Sequence, residues 1–267
     1  MGKTFVSTPH ARLRVEHGRT PGVPPLLFMN SIGTSLEMWN HQARGLADRF
    51  EIVRFDARGH GESTFDGPPE ASIDDLARDA LAVMDACGIE RAHLCGLSLG
   101  GMVAMHIAVR SPERVLKAVF CNTTPYMPPR ELWDTRIETI RTQGMDPLVE
   151  PTLQRWFTAP FHGAHPDEVD QIRSQLRQAN PAGFAACCAA IRDMDQRESI
   201  RSIRADTLVI GGTKDGGTTP AHARDMVSAI PGAKLVLLDA AHLSNIESAA
   251  EFTAALAGFL EERAPDA

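Results

Sequence analysis

Short apolar runs of strand length alternate along this chain with stretches where apolar residues recur every three or four positions. The runs cover residues 4–8, 13–17, 26–30, 52–56, 92–96, 116–122, 207–212 and 234–239. Several read as nearly continuous apolar runs, as expected of strands covered on both faces, so the pattern predicts an α/β fold: a mostly parallel, eight-stranded sheet flanked by helices. Between the runs, residues 72–88 read as a helix, with Ile73, Leu76, Ala77, Ala80, Leu81 and Met84 on one face. Ser72 suits its N-cap, Asp74 and Asp75 the positive end of its dipole, and Gly88 its stop. A second helix follows Ser98 through Met102, Met105, Ile107 and Ala108 until Ser111-Pro112 ends it.

The rhythm breaks over residues 123–203. Pro125, Pro128, Pro129, Pro147, Pro151 and Pro160 punctuate helical stretches there, no strand pattern is evident, and Trp133 and Trp156 both fall within it. This segment is expected to be a helical cap inserted in a core made of residues 1–122 and 204–267, folded over the carboxyl ends of the strands, where open α/β sheets bind ligands. The residues from Arg263 onward read as a frayed end.

The strongest chemical signal is Cys95-Gly96-Leu97-Ser98-Leu99-Gly100-Gly101, a G-x-S-x-G directly after an apolar run and directly before a helix. In that context the serine sits in a strained strand-to-helix turn, and the glycines are needed because side chains would collide with the neighbouring helix and strand. A serine hydroxyl needs a base at neutral pH. Of the ten histidines, His242 lies just past the last strand, whereas His10, His17, His41 and His93 have no comparable position. His162 and His165 read as surface residues of the insertion, and His60 reads as a brace of its turn. Asp215, after the preceding strand, completes the order Ser, Asp, His. Asp239 competes as the acid but is expected to brace the strand end, and Cys121-Asn122, after the earlier strand, offers no carboxylate. Oxyanion donors are expected from the backbone N–H groups of Leu99 and Ile32. An aspartate at the elbow would indicate alkyl transfer; Ser98 indicates acyl-enzyme chemistry, which needs no metal or organic cofactor.

A net charge of −7 argues against a nucleic-acid surface and means that an anionic substrate must be attracted locally. The apolar runs are too short to span a bilayer, the N-terminal residues lack the apolar stretch of a signal peptide, and five cysteines without a CxxC pair fit a reducing cytoplasm. The expected partner is a small molecule; nothing in the pattern specifies an oligomeric state.

Further stretches carry a resemblance. Asn30-Ser31-Ile32-Gly33-Thr34, Met38-Trp39, Cys121-Asn122-Thr123, Trp133 with Arg136-Ile137-Glu138-Thr139, Arg155-Trp156-Phe157-Thr158, Pro181-Ala182-Gly183-Phe184, the run from Cys187 to Asp193 and that from Ala240 to Glu247 resemble the 3-oxoadipate enol-lactonase group of the α/β-hydrolase superfamily. The chain departs from that group at Phe184, where tyrosine is expected, and in its first two dozen residues; neither departure is expected to touch the site. The resemblance implies the α/β-hydrolase fold and hydrolysis of a carboxylated enol-lactone to 3-oxoadipate in aromatic catabolism. Its substrate would need a cation near the acyl centre, for which Arg136 is the candidate, with Trp133 and Trp156 as pocket walls. A lactonase or carboxylesterase of other range, and a non-catalytic receptor on the same fold, are the alternatives.

Overall fold

The computed structural model describes residues 2–262, so the reading of the end from Arg263 falls outside the described residues. Eight strands, β1 (Gly2–Thr8), β2 (Ala11–Gly18), β3 (Pro25–Met29), β4 (Glu51–Phe55), β5 (Ala92–Leu97), β6 (Val115–Cys121), β7 (Asp206–Gly212) and β8 (Lys234–Leu238), form one sheet in the order β1-β2-β4-β3-β5-β6-β7-β8. Strands β1 and β2 pair antiparallel, as do β2 and β4; every later pairing is parallel. The expected sheet is thus present. Strand β5 is buried along its whole length, which explains why its residues are apolar apart from His93.

Four polar residues expected to end strands lie just beyond them instead. Asn30, Asp56, Asn122 and Asp239 follow β3, β4, β6 and β8. They sit where the chain leaves the sheet at its carboxyl edge; Asn30, Asp56 and Asn122 are buried there and Asp239 is exposed, and each side chain is bonded to a neighbouring segment.

Helices α1 (Asn40–Leu46), α2 (Ile73–Ala86) and α3 (Leu99–Arg110) link the first strands. The predicted helix is α2: Asp75 N donates to Ser72 Oγ at 3.1 Å, Ser72 N donates back to Asp75 at 2.9 Å, and Gly88 takes φ 72° beyond its end. Between β6 and β7 come α4 (Arg130–Gln143), α5 (Asp146–Trp156), α6 (Ala159–Ala164), α7 (Pro166–Gln178) and α8 (Pro181–Asp193). Pro147, Pro160, Pro166 and Pro181 lie in the first turns of α5, α6, α7 and α8, where no N–H is required; Pro151 instead lies inside α5. A single bridge, Tyr126 to Asp195, ties the two ends of this segment together. The chain closes with α9 (Pro220–Ala229), α10 (Ser244–Glu247) and α11 (Ala249–Glu261). No helix among the described residues is long and apolar enough to cross a membrane.

Candidate active site

Ser98 joins β5 to α3 with φ 56° and ψ −115°, a conformation that an L-residue adopts at a cost on the order of 1–3 kcal/mol. The surroundings enforce it. Ser98 N donates to Cys121 O at 2.9 Å, and Ser98 O accepts from Met102 N at 3.0 Å and from Thr123 Oγ1 at 2.7 Å. The flanking glycines are steric necessities: a Cβ on Gly96 would lie 2.1 Å from Gly100 O, and one on Gly100 would lie 2.1 Å from Met29 O. The Ser98 hydroxyl makes no hydrogen bond among the described residues.

Asp215 and His242 come from the loops after β7 and β8. His242 Nδ1 lies 2.8 Å from Asp215 Oδ2. Asp215 also accepts from Gly217 N at 2.8 Å, Thr218 N at 3.0 Å, Thr218 Oγ1 at 2.7 Å and Asn122 Nδ2 at 3.0 Å. Burial works to raise the carboxyl pKa, but the His242 charge and hydrogen bond, together with Asn122 and Thr218, hold it well below the ordinary carboxylate range. An ionised Asp215 requires the imidazole proton on Nδ1, which leaves Nε2 free as a base.

Sequence reasoning missed Thr218 in this network, and it passed over Asn122. It supplies no carboxylate, yet it donates to Asp215 Oδ2, reaches Ala241 O at 3.2 Å and accepts from Ser244 Oγ at 2.6 Å. One side chain therefore ties the ends of β6, β7 and β8 together. Its φ of 42° falls where asparagine is better tolerated than most residues. The available signal was a polar residue ending an otherwise apolar strand. Asp239, the competing acid, is exposed and pairs with Lys214 at 2.7 Å.

The loop after β3 is pinned by Asn30. Its amide donates to Phe55 O at 2.9 Å, its carbonyl oxygen accepts from Trp39 Nε1 at 3.0 Å, and its backbone oxygen accepts from Gly100 N at 3.0 Å. Neither Ile32 N nor Leu99 N donates a hydrogen bond among the described residues, so both are available as donors. His60 packs elsewhere. Its Nδ1 lies 2.9 Å from Arg58 O, its ring stacks on Phe184 with centroids 5.8 Å apart, and burial pushes its pKa down to about 4 against that one bond.

A cavity of about 440 Å³ opens between these loops and the inserted helices. Ser98, Asp215, His242 and Ile32 line it from the sheet side, and Trp133, Arg136 and Trp156 from α4 and α5. The remaining wall is largely apolar, including Met102, Met127, Leu148 and Ile191. Trp156 stacks on His242 with centroids 6.0 Å apart. The insertion is bonded to the His242 loop: Leu243 N donates to Trp156 O at 3.1 Å, and Glu247 accepts from Thr158 N at 3.1 Å and from Ala241 N at 2.8 Å. Two further lining residues were not anticipated. Arg155 reaches the cavity from α5, and Phe184 reaches it from α8, which corrects the expectation that the departure at 184 lies away from the site. Facing the cavity instead of tyrosine, phenylalanine removes a polar group from its wall.

Comparison with known proteins agrees with this architecture. Residues 24–249 match the family described as alpha/beta hydrolase fold. The chain is 34% identical over 233 residues to 3-oxoadipate enol-lactonase 2 of Acinetobacter baylyi, covering 87% of each chain. It is 29% identical to a protein of Agrobacterium fabrum named putative carbamate hydrolase RutD, covering 91% of this chain and 96% of that one. The crystal structure of the enol-lactonase from Burkholderia xenovorans LB400 superposes with a TM-score of 0.94 at 36% identity, covering 97% of this chain and 100% of that chain. The chain belongs to the α/β-hydrolase family and, within it, resembles the 3-oxoadipate enol-lactonases.

Proposed function

We propose that this hydrolase opens a small carboxylated enol-lactone, 3-oxoadipate enol-lactone, to 3-oxoadipate, in the breakdown of aromatic compounds, with residues 123–203 acting as the cap. The observation that carries the reading is the Asp215–His242 pair, 2.8 Å apart, on the same cavity as the strained Ser98 and as Arg136. Ser98 Oγ attacks the ring carbonyl while His242 Nε2 takes its proton. The N–H groups of Ile32 and Leu99 meet the oxyanion, each worth about 3–4 kcal/mol of transition-state stabilisation. Collapse breaks the ring C–O bond and returns the proton from His242 to the departing enol oxygen. The enol becomes a ketone, which disfavours reclosure, and water then releases the acid from Ser98. Arg136 answers the substrate carboxylate, between the walls of Trp133 and Trp156.

Steady-state rates with the enol-lactone, a simple lactone, a neutral aryl ester and an aryl carbamate test this. The enol-lactone should have the highest kcat/KM. A simple lactone or ester matching it would make the chain a lactonase or carboxylesterase of other range. Faster carbamate turnover would favour the activity named for the Agrobacterium relative. Turnover of none of them would point to a receptor.

A further inference from the structure

The arginines of the inserted helices fall into two groups. Arg192 reaches Asp134 at 2.9 Å and Glu70 at 3.1 Å, Arg173 reaches Glu150 at 2.7 Å, Arg177 reaches Asp146 at 2.9 Å, and Arg130 bonds Asp193. Arg136 and Arg155 line the cavity that holds Ser98 and His242, and neither lies within ion-pair distance of a carboxylate among the described residues. Arg141 also lacks one and, like Arg155, is exposed, but it lies outside the cavity wall.

The two cavity arginines are held by neutral neighbours. The Arg136 guanidinium sits 4.7 Å from the Trp133 ring centroid, a cation–π arrangement. Arg155 Nη2 donates to Oγ1 of the buried Thr152, which also lines the cavity, at 3.2 Å. Partial desolvation and then the charge of Arg136 lower the Arg155 pKa, so the two cations feel each other. Like charges facing one cavity without an internal counter-ion are unfavourable until an anion lies between them. The net charge of −7 would not draw that anion in, so the attraction must be local.

We infer that Arg136 and Arg155 together form a two-guanidinium clamp for a carboxylate carried by the substrate at the end remote from its acyl carbon, with Thr152 as the residue that positions Arg155. This deepens the reading above and rests on it for the nature of the reaction. Opening the lactone on Ser98 leaves a six-carbon acyl chain whose far end is the original carboxylate. The clamp therefore holds the same group through acylation and deacylation, while the oxyanion donors hold the other end.

The test compares two aryl esters with that chain length: the mono-para-nitrophenyl ester of adipate, which ends in a carboxylate, and its methyl ester, which does not. Wild type should favour the anionic ester. Arg155→Ala and Arg136→Ala should each lower the anionic-to-neutral ratio of kcat/KM by about tenfold, the scale of a lost hydrogen bond to a charged group. Arg155→Lys should retain part of the preference, Thr152→Val should lower it about threefold by loosening the guanidinium, and Arg141→Ala should leave it in place. An Arg155→Ala ratio within twofold of wild type overturns the clamp. Calorimetric binding of adipate to Ser98→Ala protein reads the clamp without turnover. Adding Arg155→Ala should weaken that binding about tenfold, and equal affinity overturns the proposal. If adipate binds through the pair but neither ester is hydrolysed, the clamp stands and the reading of the reaction falls.

Discussion

The sheet edge and the inserted helices treat their polar groups in opposite ways. At the sheet edge, Asp215 is met by His242, Thr218, Asn122 and two backbone N–H groups, and Asn122 is itself bonded to Ser244 and Ala241. That network is closed within the protein. Arg136 and Arg155, across the cavity, end without a carboxylate among the described residues. On the sheet side the Ser98 hydroxyl and the N–H groups of Ile32 and Leu99 are among the unanswered groups, and Ser98 and Ile32 line the other end of the same space. Buried networks that are fully satisfied hold catalytic geometry without a ligand, whereas groups left open mark where a ligand must supply the partner. On the proposed function, the two open ends match a molecule with an acyl carbon at one end and an anion at the other.

Removing the proposed nucleophile should break this comparison most severely. Ser98→Ala is expected to lower kcat by about 10⁶ with the fold retained, and residual activity within tenfold of wild type would refute the assignment. Asp215→Asn keeps the shape but removes the charge that fixes the imidazole tautomer, so kcat should fall by about 10⁴. Single-turnover acylation rates would locate that loss; a drop under tenfold would leave Asp215 a structural residue. On the side of α4 and α5 the expected effect is far smaller and of a different kind. Arg136→Ala should raise KM about tenfold for the enol-lactone, and less for an uncharged ester, because it removes ground-state attraction rather than chemistry. Equal effects on both substrates would remove its role in recognition.

The same contrast explains what could be read from sequence. The sheet was legible because burial on both faces writes itself into continuous apolar runs, and Ser98 because its turn demands glycine at positions 96 and 100, where any Cβ would strike backbone. His242 and Asp215 followed from their places after β8 and β7, a matter of topology. Asn122 was passed over because its contribution is a hydrogen bond to another loop, which no local spacing encodes. Arg155 and Phe184 were quoted only as parts of the resemblance, since an amphipathic helix in a cap buries one face against the core and another against the cavity, and periodicity does not tell these apart. The prolines marked the interruptions of the helical stretches without saying on which side of a break they lie: Pro147 and Pro160 open helices, whereas Pro151 lies inside α5.

A third class of polar group sharpens the comparison, being unanswered yet not part of the cavity wall. His93 Nδ1 and His60 Nε2 are buried without a hydrogen-bond partner among the described residues. They should affect stability and leave catalysis alone. His93, at 6% exposure, packs edge-on against Phe50 with centroids 5.9 Å apart. Burial, helped by the charge of Lys117, pushes its pKa from 6.5 down to about 4. The folded state therefore binds fewer protons than the unfolded chain in that range. The stability contributed is complete above 6.5 and is lost as pH falls through about 4. The upper bound is about 3 kcal/mol, at about 1.4 kcal/mol per pKa unit. Asp56 runs the other way. Burial raises it to about 6, so its protonation favours the fold on acidification, but it is common to wild type and variant and cancels in their difference. His93→Phe, which keeps a ring against Phe50 and removes the titrating group, should flatten the fall in denaturant midpoint between pH 6.5 and pH 4 and leave kcat/KM at neutral pH unaltered. Parallel midpoint curves for the two proteins would mean that His93 is protonated in the fold at no cost. A loss of activity would mean that this orphaned nitrogen belongs with the open groups of the cavity after all.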